Sequence, residues 1–389
     1  MKVLSVTWTI YDESLQEFMS NCTGGGLVIK NLCEFIGKRE ESYLLIGKVL
    51  LPELQLGNIH IIKTDYDTNM KNVKGSNLEY IQYMTDIFEK AIDNIKPDII
   101  NFHGYGDFAF SCIKNVCIKR NLLYFVTEHL FIGADEVFEG YSEQVIREKY
   151  LYNIPEIKII AVSNGMKQKI LRNFPNLMEE QITVLLNGTD FKANIIENNL
   201  LDKYEIQNKK VLLCVGTILD RKNQQKIVEV FKKNTELSKK ISVIFCGNDG
   251  MNGKLQKNIV ENGLEKVLIY AGACSSEEMK KYYSVASRLI MPSYSEGFSI
   301  AALEAISYGL PIIMFRDLEF AEDLNDTQIV EFAENRTDKA LEEAILAWYA
   351  KDWDTEYIKQ YSKSFTMKRM ADGYIDFYIK QLKNYKKVL

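Results

Sequence analysis

The sequence predicts an α/β protein built from two doubly wound, parallel-sheet domains. Three observations carry that expectation. The chain has 389 residues, more than a single hydrophobic core usually holds. Apolar runs of strand length alternate with stretches of helical spacing along the chain, joined by short turns, which is the pattern of parallel strands with right-handed crossovers. Every strand expected in the second half ends in glycine or in Ser-Glu-Gly, as close backbone approach to a ligand at one sheet edge requires.

Composition narrows the function. A hydrophobic fraction of 47% and a charged fraction of 26% are those of a soluble globular protein. A net charge of −5 argues against a general nucleic-acid binder. Seven cysteines, an odd number without a close CxxC pair, point to a reducing, cytoplasmic setting rather than a disulfide framework. Cys112 and Cys117 lack a second Cys/His pair to complete a zinc site, and the only histidines are His60, His103 and His129. Residues 1–10 hold a single lysine and no small-residue cleavage site, so they read as a first strand rather than a signal peptide. No apolar run approaches the ~20 residues of a membrane span.

The first half, in order, opens with a strand over residues 2–8 and a polar loop over 9–23. Gly24-Gly25-Gly26 follows as a turn, and helical spacing starts at Leu27. Strand, glycine turn and helix would form a cradle of backbone N–H groups. Three consecutive glycines do not match the G-x-G-x-x-G dinucleotide spacing. Strands are expected at 43–47 and 58–63. Asp65-Tyr66-Asp67 is a D-x-D, but Thr64 and Thr68 make it read as a turn, and no metal site is expected. A helix over 80–95 precedes a strand at 98–102 ending in His103-Gly104. A strand at 122–127 ends in Glu128-His129. Both histidines would stand at the carboxyl edge of the sheet, where open α/β sheets bind ligands; the other reading is a structural, hydrogen-bonded histidine, favoured more at His103 than at His129. A strand at 158–162, a helix from Ser163 and a strand at 182–186 running into Asn187-Gly188-Thr189-Asp190 complete the domain. Residues 194–209 are rich in Asn, Lys and Glu and lack clean periodicity, so they are expected to be a linker.

The second half repeats the pattern. A strand at 211–215 ends in Gly216-Thr217-Ile218-Leu219-Asp220-Arg221-Lys222-Asn223. The adjacent cations Arg221 and Lys222 could neutralise a diphosphate or merely be solvated. Strands at 242–246 and 267–271 end in Gly247 and Gly272, and a helix is expected over 276–285. A strand at 288–291 then enters Pro292-Ser293-Tyr294-Ser295-Glu296-Gly297-Phe298-Ser299. Ser299 can cap a helix whose core-facing positions would be Ile300, Leu303 and Ser307. Gly309 and Pro311 stop it, and a strand follows at 311–315. The backbone N–H groups of Gly297, Phe298 and Ser299 would make an anion site at that helix N-terminus. Glu296 and Glu304, eight residues apart, flank it. A helical tail over 354–389 would pack Tyr374, Phe377, Tyr378 and Leu382. Its basic tip, Lys380, Lys383, Lys386 and Lys387, is a solvated face or a weak contact for anionic lipid.

Taken together, these residues resemble the retaining glycosyltransferases of family 4, whose GT-B fold sets two Rossmann-like domains face to face across a cleft. The most specific mark is Glu296-(x7)-Glu304 within Pro292-Ser293-x-x-Glu296-Gly297-Phe298. Gly216 through Asn223 resembles the family's phosphate-binding turn. Val162-Ser163 and Asn187-Gly188-x-Asp190 resemble the end of its first domain, Thr127-x-His129 its active-site histidine strand, and Gly24 through Gly26 its N-terminal loop. The resemblance is close over 211–315 and loose in the first domain. It implies an acceptor-side domain at 1–193, a linker at 194–209, a nucleotide-sugar domain at 210–364 and a tail at 365–389 crossing back to the first domain. Two departures stand out. Thr217 replaces a common arginine, so Arg221 and Lys222 must share the phosphate charge. Arg316-Asp317-Leu318-Glu319 replaces a common Gly-Gly near the donor sugar.

The implied reaction moves a hexose or N-acetylhexosamine from a nucleotide diphosphate sugar, a UDP-sugar first of all, to an acceptor hydroxyl with retention and without a metal or other cofactor. Glu304 would hold the ribose, Glu296 a sugar hydroxyl, Arg221, Lys222, Gly216 and Thr217 the diphosphate, and Gly25 and Gly26 would close over it. His129 would stand at the reaction centre. The acceptor, a glycan, a lipid-linked sugar or a protein, is not readable, nor is the oligomeric state. A nucleotide-sugar epimerase, a sugar phosphorylase and a non-catalytic transferase-like subunit remain alternatives.

Overall fold

A computed structural model describes residues 1–10, 24–47, 54–64, 78–104, 106–133, 138, 141–194 and 196–387. The chain divides into two compact units, Met1–Gly188 with Thr366–Leu389, and Thr189–Phe365.

The first unit holds strands β1 (Lys2–Thr7), β2 (Glu41–Ile46), β3 (Leu54–Leu56), β4 (Ile59–Ile61), β5 (Ile99–His103), β6 (Tyr124–Glu128), β7 (Ile159–Ala161) and β8 (Ile182–Val184). They form one sheet in the order β3-β4-β2-β1-β5-β6-β7-β8. All neighbours are parallel except β3, which runs antiparallel to β4. The chain winds outward in one direction from β1 and in the other from β5. The switch point therefore lies at the carboxyl ends of these two strands, where Thr7 is the register partner of His103. That is where an open α/β sheet offers a ligand crevice.

The three glycines do not form the expected turn. The helix Gly24–Gly37 begins on the first of them. Glycine is a poor helix former in an interior but is tolerated in a first turn, where N–H groups lack intrahelical partners anyway. Val28, Ile29, Leu32, Cys33 and Ile36 then bury one face of the helix. The D-x-D of Asp65 and Asp67 lies outside the described residues.

The tail is not one continuous helix. It breaks into Thr355–Ser362, a 3-10 turn at Lys363–Phe365 and the helix Met367–Tyr385, whose N-cap Thr366 accepts from the Arg369 N–H. The break coincides with the boundary between the units. The last helix packs in the first unit against Gly24–Gly37. Tyr374 and Tyr378 are fully buried, while Phe377 and Leu382 are half-buried. The Phe377 ring meets Phe125 of β6 edge-on at 4.9 Å. Lys380, Lys383, Lys386 and Lys387 are exposed.

The second unit holds β9 (Lys210–Val215), β10 (Ile241–Cys246), β11 (Leu268–Gly272), β12 (Arg288–Met291), β13 (Ile312–Phe315) and β14 (Val330–Ala333), in the order β11-β10-β9-β12-β13-β14. Every pairing is parallel. The strands are near-continuous apolar runs, as burial on both faces demands. Arg288 is the one buried charged side chain in these strands, and its guanidinium lies over the rings of Trp348 and Trp353 at 4.7 and 4.6 Å. The switch point falls between β9 and β12.

Residues 194–209, expected as a linker, belong to the second unit. They contain the helix Leu200–Lys203 and bury Leu200 and Ile206. The Tyr308 hydroxyl accepts from the Asn194 N–H (3.2 Å) and donates to the Asn194 carbonyl (3.1 Å). Backbone pairing of this kind gives a polar stretch a fixed path without an apolar period.

Candidate functional site

The switch point of the second unit gathers the residues singled out by spacing. Gly216 and Gly247 follow β9 and β10 with φ of +137° and +153°. A Cβ on Gly247 would stand 2.1 Å from the Gly216 carbonyl oxygen, so the strand ends approach each other only because the side chain is missing. Beyond Gly216, Gln224 Nε2 donates to the Thr217 carbonyl at 3.0 Å and fixes the turn. The chain makes a 3-10 turn over Asp220–Lys222 and leaves through Asn223, whose φ is +54°.

That turn is tied to the loop after β12. Asn223 Nδ2 donates to the Pro292 carbonyl (3.0 Å), and the Tyr294 N–H donates to the Arg221 carbonyl (2.8 Å). The Arg221 guanidinium donates to the Ser295 carbonyl and lies 3.5 Å from one Glu296 oxygen. Lys222 Nζ reaches the other oxygen at 2.5 Å, and the Ser293 hydroxyl donates to the same oxygen at 2.8 Å. Arg221 and Glu296 are buried. Burial alone would raise the Glu296 pKa, but the charges of Lys222 and Arg221, with the Lys222 and Ser293 hydrogen bonds, hold it below the ordinary carboxylate value. Glu296 is therefore a buried, ionised acceptor between two cations.

A third carboxylate supports it. Glu319, buried in the segment that replaces Gly-Gly, accepts from the Ser295 hydroxyl (2.5 Å) and from the Glu296 backbone N–H (2.8 Å). It thereby fixes the turn that aims Glu296. The sequence marked this segment as a departure but gave Glu319 no role.

Ser299 caps the helix Ile300–Ser307 through the Ala302 N–H (3.3 Å). Phe298 turns its ring inward against Phe320 and Phe365 at 5.2 and 5.7 Å, so only its backbone can face a ligand. The buried face of the helix is Ala302, Leu303, Ala305 and Ile306 rather than Ile300, Leu303 and Ser307. Glu304 is half-buried and accepts from the Tyr283 hydroxyl at 2.8 Å. The Tyr283 ring stacks on Tyr308 at 5.4 Å. Burial pushes the Glu304 pKa up to about 7, against the smaller pull of the Tyr283 hydrogen bond.

In the first unit, Gly25, Gly26, His103 and His129 line a pocket of about 260 Å³ together with Thr7 and Trp8. The loop after β6 is firmly held. Glu128 accepts from the Leu130 N–H (3.2 Å) and from the Tyr152 hydroxyl, and Glu148 accepts from the N–H groups of Ile132 and Gly133 (2.9 and 2.8 Å). The structure joins the two histidines that the sequence listed apart, since His103 Nδ1 and His129 Nε2 are 3.1 Å apart. Burial drives both below the ordinary histidine pKa, His129 to about 4, and His103 is lowered further by its neighbour.

Among the described residues, no group of three or more His, Cys, Asp or Glu could hold a metal ion, and no helix is long and apolar enough to cross a membrane.

Comparison with known proteins places this architecture. The crystal structure of a glycosyltransferase from Rickettsia africae superposes with a TM-score of 0.72 at 16% identity, over 98% of this chain and 99% of that one. The structure of Anabaena HepE in complex with UDP and glucose matches at a TM-score of 0.69 and 11% identity, over 98% and 100%. The fold is GT-B. Residues 196–365 match the family model described as Glycosyl transferases group 1, and they lie within the second unit. The α-galactosylglucosyldiacylglycerol synthase of Streptococcus pneumoniae is 29% identical over 366 residues, 90% of this chain and 84% of that protein. The chain is thus a GT-B relative of group 1 glycosyltransferases. The matched segment contains Arg221, Lys222, Glu296 and Glu304.

Proposed function

We propose that this protein is a retaining glycosyltransferase of family 4 that takes a sugar from a nucleotide diphosphate sugar. The observation that carries the reading is the buried cluster of Arg221, Lys222 and Glu296 at the β9/β12 switch point. Two cations and an ionised acceptor at a glycine-lined strand edge match a donor with an anionic diphosphate and a hydroxyl-bearing sugar. The bond from C1 to the diphosphate oxygen breaks, and a bond from C1 to the acceptor oxygen forms on the same face. The acceptor proton leaves with the nucleoside diphosphate.

Residue roles follow from position. Arg221, Lys222 and the N–H groups of Gly297, Phe298 and Ser299 neutralise the charge that builds on the leaving group. These cations let the reaction run without a metal. Gly216 and Thr217 admit the diphosphate to the strand edge. Glu296 accepts from a sugar hydroxyl, and Glu304 accepts from the ribose. His129, in the first-unit pocket with Gly25 and Gly26, contacts the sugar or the acceptor.

UDP is the favoured nucleotide, supported by the UDP complex of the similar HepE. A glycolipid acceptor is favoured by the pneumococcal diacylglycerol-glycolipid synthase, which aligns with 90% of the chain. The reaction belongs in the cytoplasm, at the inner membrane face, and the exposed lysines of the last helix would touch anionic lipid there.

Purified protein incubated with a panel of nucleotide diphosphate sugars and diacylglycerol-type glycolipids should release nucleoside diphosphate with one of them. Donors left intact across the panel, with and without acceptors, would refute the assignment.

A further inference from the structure

His103 and His129 end a chain of hydrogen bonds that has a direction. The Thr127 hydroxyl donates to Asn101 Oδ1 at 3.0 Å. That contact turns the amide nitrogen of Asn101 toward His103 Nε2, 3.2 Å away. An amide nitrogen has no lone pair to offer, so it donates and His103 Nε2 accepts. A neutral imidazole carries one N–H, so the His103 proton sits on Nδ1. Nδ1 lies 3.1 Å from His129 Nε2, with the ring planes tilted by 26° and centroids 5.4 Å apart. His103 therefore donates and His129 Nε2 accepts, which leaves the His129 proton on Nδ1. That nitrogen is buried and has no partner among the described residues.

We infer that Thr127, Asn101 and His103 are positioning residues that fix His129 as its Nδ1–H tautomer, a neutral donor aimed at an oxygen of the bound substrate. An unpartnered buried N–H is costly unless a ligand completes it. Its place supports that use: His129 lines the pocket beside the β1/β5 switch point, where His103 closes the ladder opposite Thr7. The strong downward shift of both histidines keeps the chain uncharged at neutral pH. A cation at His103 would put a proton on Nε2, facing the donating amide of Asn101.

That the oxygen belongs to a sugar or its acceptor rests on the transferase reading. The tautomer does not. The test uses the full chain labelled with 15N-histidine, which carries only three histidines, and reads each ring by long-range 1H–15N correlation at pH 7.5. His129 is expected as the Nδ1–H tautomer. Asn101→Leu should turn it into a mixture of tautomers and lower turnover about tenfold, and Thr127→Val should do the same to a smaller degree if the leucine variant does not fold. A His129 proton on Nε2, a cationic His129, or a pure unchanged tautomer in folded Asn101→Leu would overturn the inference. The expected tautomer in a protein that turns over no nucleotide sugar would uphold the relay and overturn the transferase reading.

Discussion

As the proposed ribose ligand, Glu304 should make donor binding depend on pH. Its carboxyl is pushed up to about 7 by burial. Accepting hydrogen bonds from two ribose hydroxyls requires the ionised form. At pH 6 only about one molecule in ten of the free protein would be ready to bind, and at pH 8 about nine in ten. Affinity for an intact UDP-hexose should therefore rise about tenfold, ~1.4 kcal/mol, between pH 6 and 8 and level off above. The intact donor is the right probe because its diphosphate diester does not titrate in this range. Titration calorimetry in buffers of different ionisation enthalpy should also show release of about half a proton per binding event at pH 7. Stability of the free protein runs the other way. The folded-state pKa lies above the unfolded value, so the Glu304 contribution is fully present below pH ~4.5 and is lost as pH rises toward ~7. Glu304→Gln should weaken binding at pH 8 and flatten the profile. Tyr283→Phe removes the donated hydrogen bond and should move the midpoint upward. A flat wild-type profile, or an unchanged profile in Glu304→Gln, would refute the ribose role.

Two further outcomes are expected. The Arg221→Ala, Lys222→Ala double variant should lower turnover by at least about 100-fold, since one charged transition-state contact is often worth ~3 kcal/mol; near-normal initial rates of nucleoside diphosphate release would remove both residues from the mechanism. Glu319→Ala should lower both melting temperature and kcat, because hydrogen bonds to a charged group are worth about 1.5–3 kcal/mol each. Glu319→Gln should recover part of both, and normal kinetics in Glu319→Ala would show that the Glu296 turn holds itself.

Much of the fold was legible because central parallel strands are buried on both faces and read as plain apolar runs. Ile312–Phe315 and Ile159–Ala161 are of this kind. The edge strand Leu54–Leu56 has three residues and alternates in burial, too little to register. The helix Ile300–Ser307 is apolar nearly all round, so no polar face fixed its phase. The break at Lys363–Phe365 carries no glycine or proline. In the candidate site, local spacing singled out Arg221, Lys222, Glu296 and Glu304, which lie in a turn or on a helix face. Contacts across long separations were hidden. Glu319 reaches Glu296 across 23 residues, Tyr283 reaches Glu304 across 21, and His103 reaches His129 across 26. No periodicity encodes such pairings; only the sheet order brings them together.

The most direct test of the transferase account is 1H and 31P NMR of the protein acting on α-linked nucleotide diphosphate sugars. The account predicts that nucleoside diphosphate appears together with a product whose first-formed anomer is α, and that Glu296→Gln suppresses both signals. A β anomer formed first, or intact donors in every reaction, would contradict it.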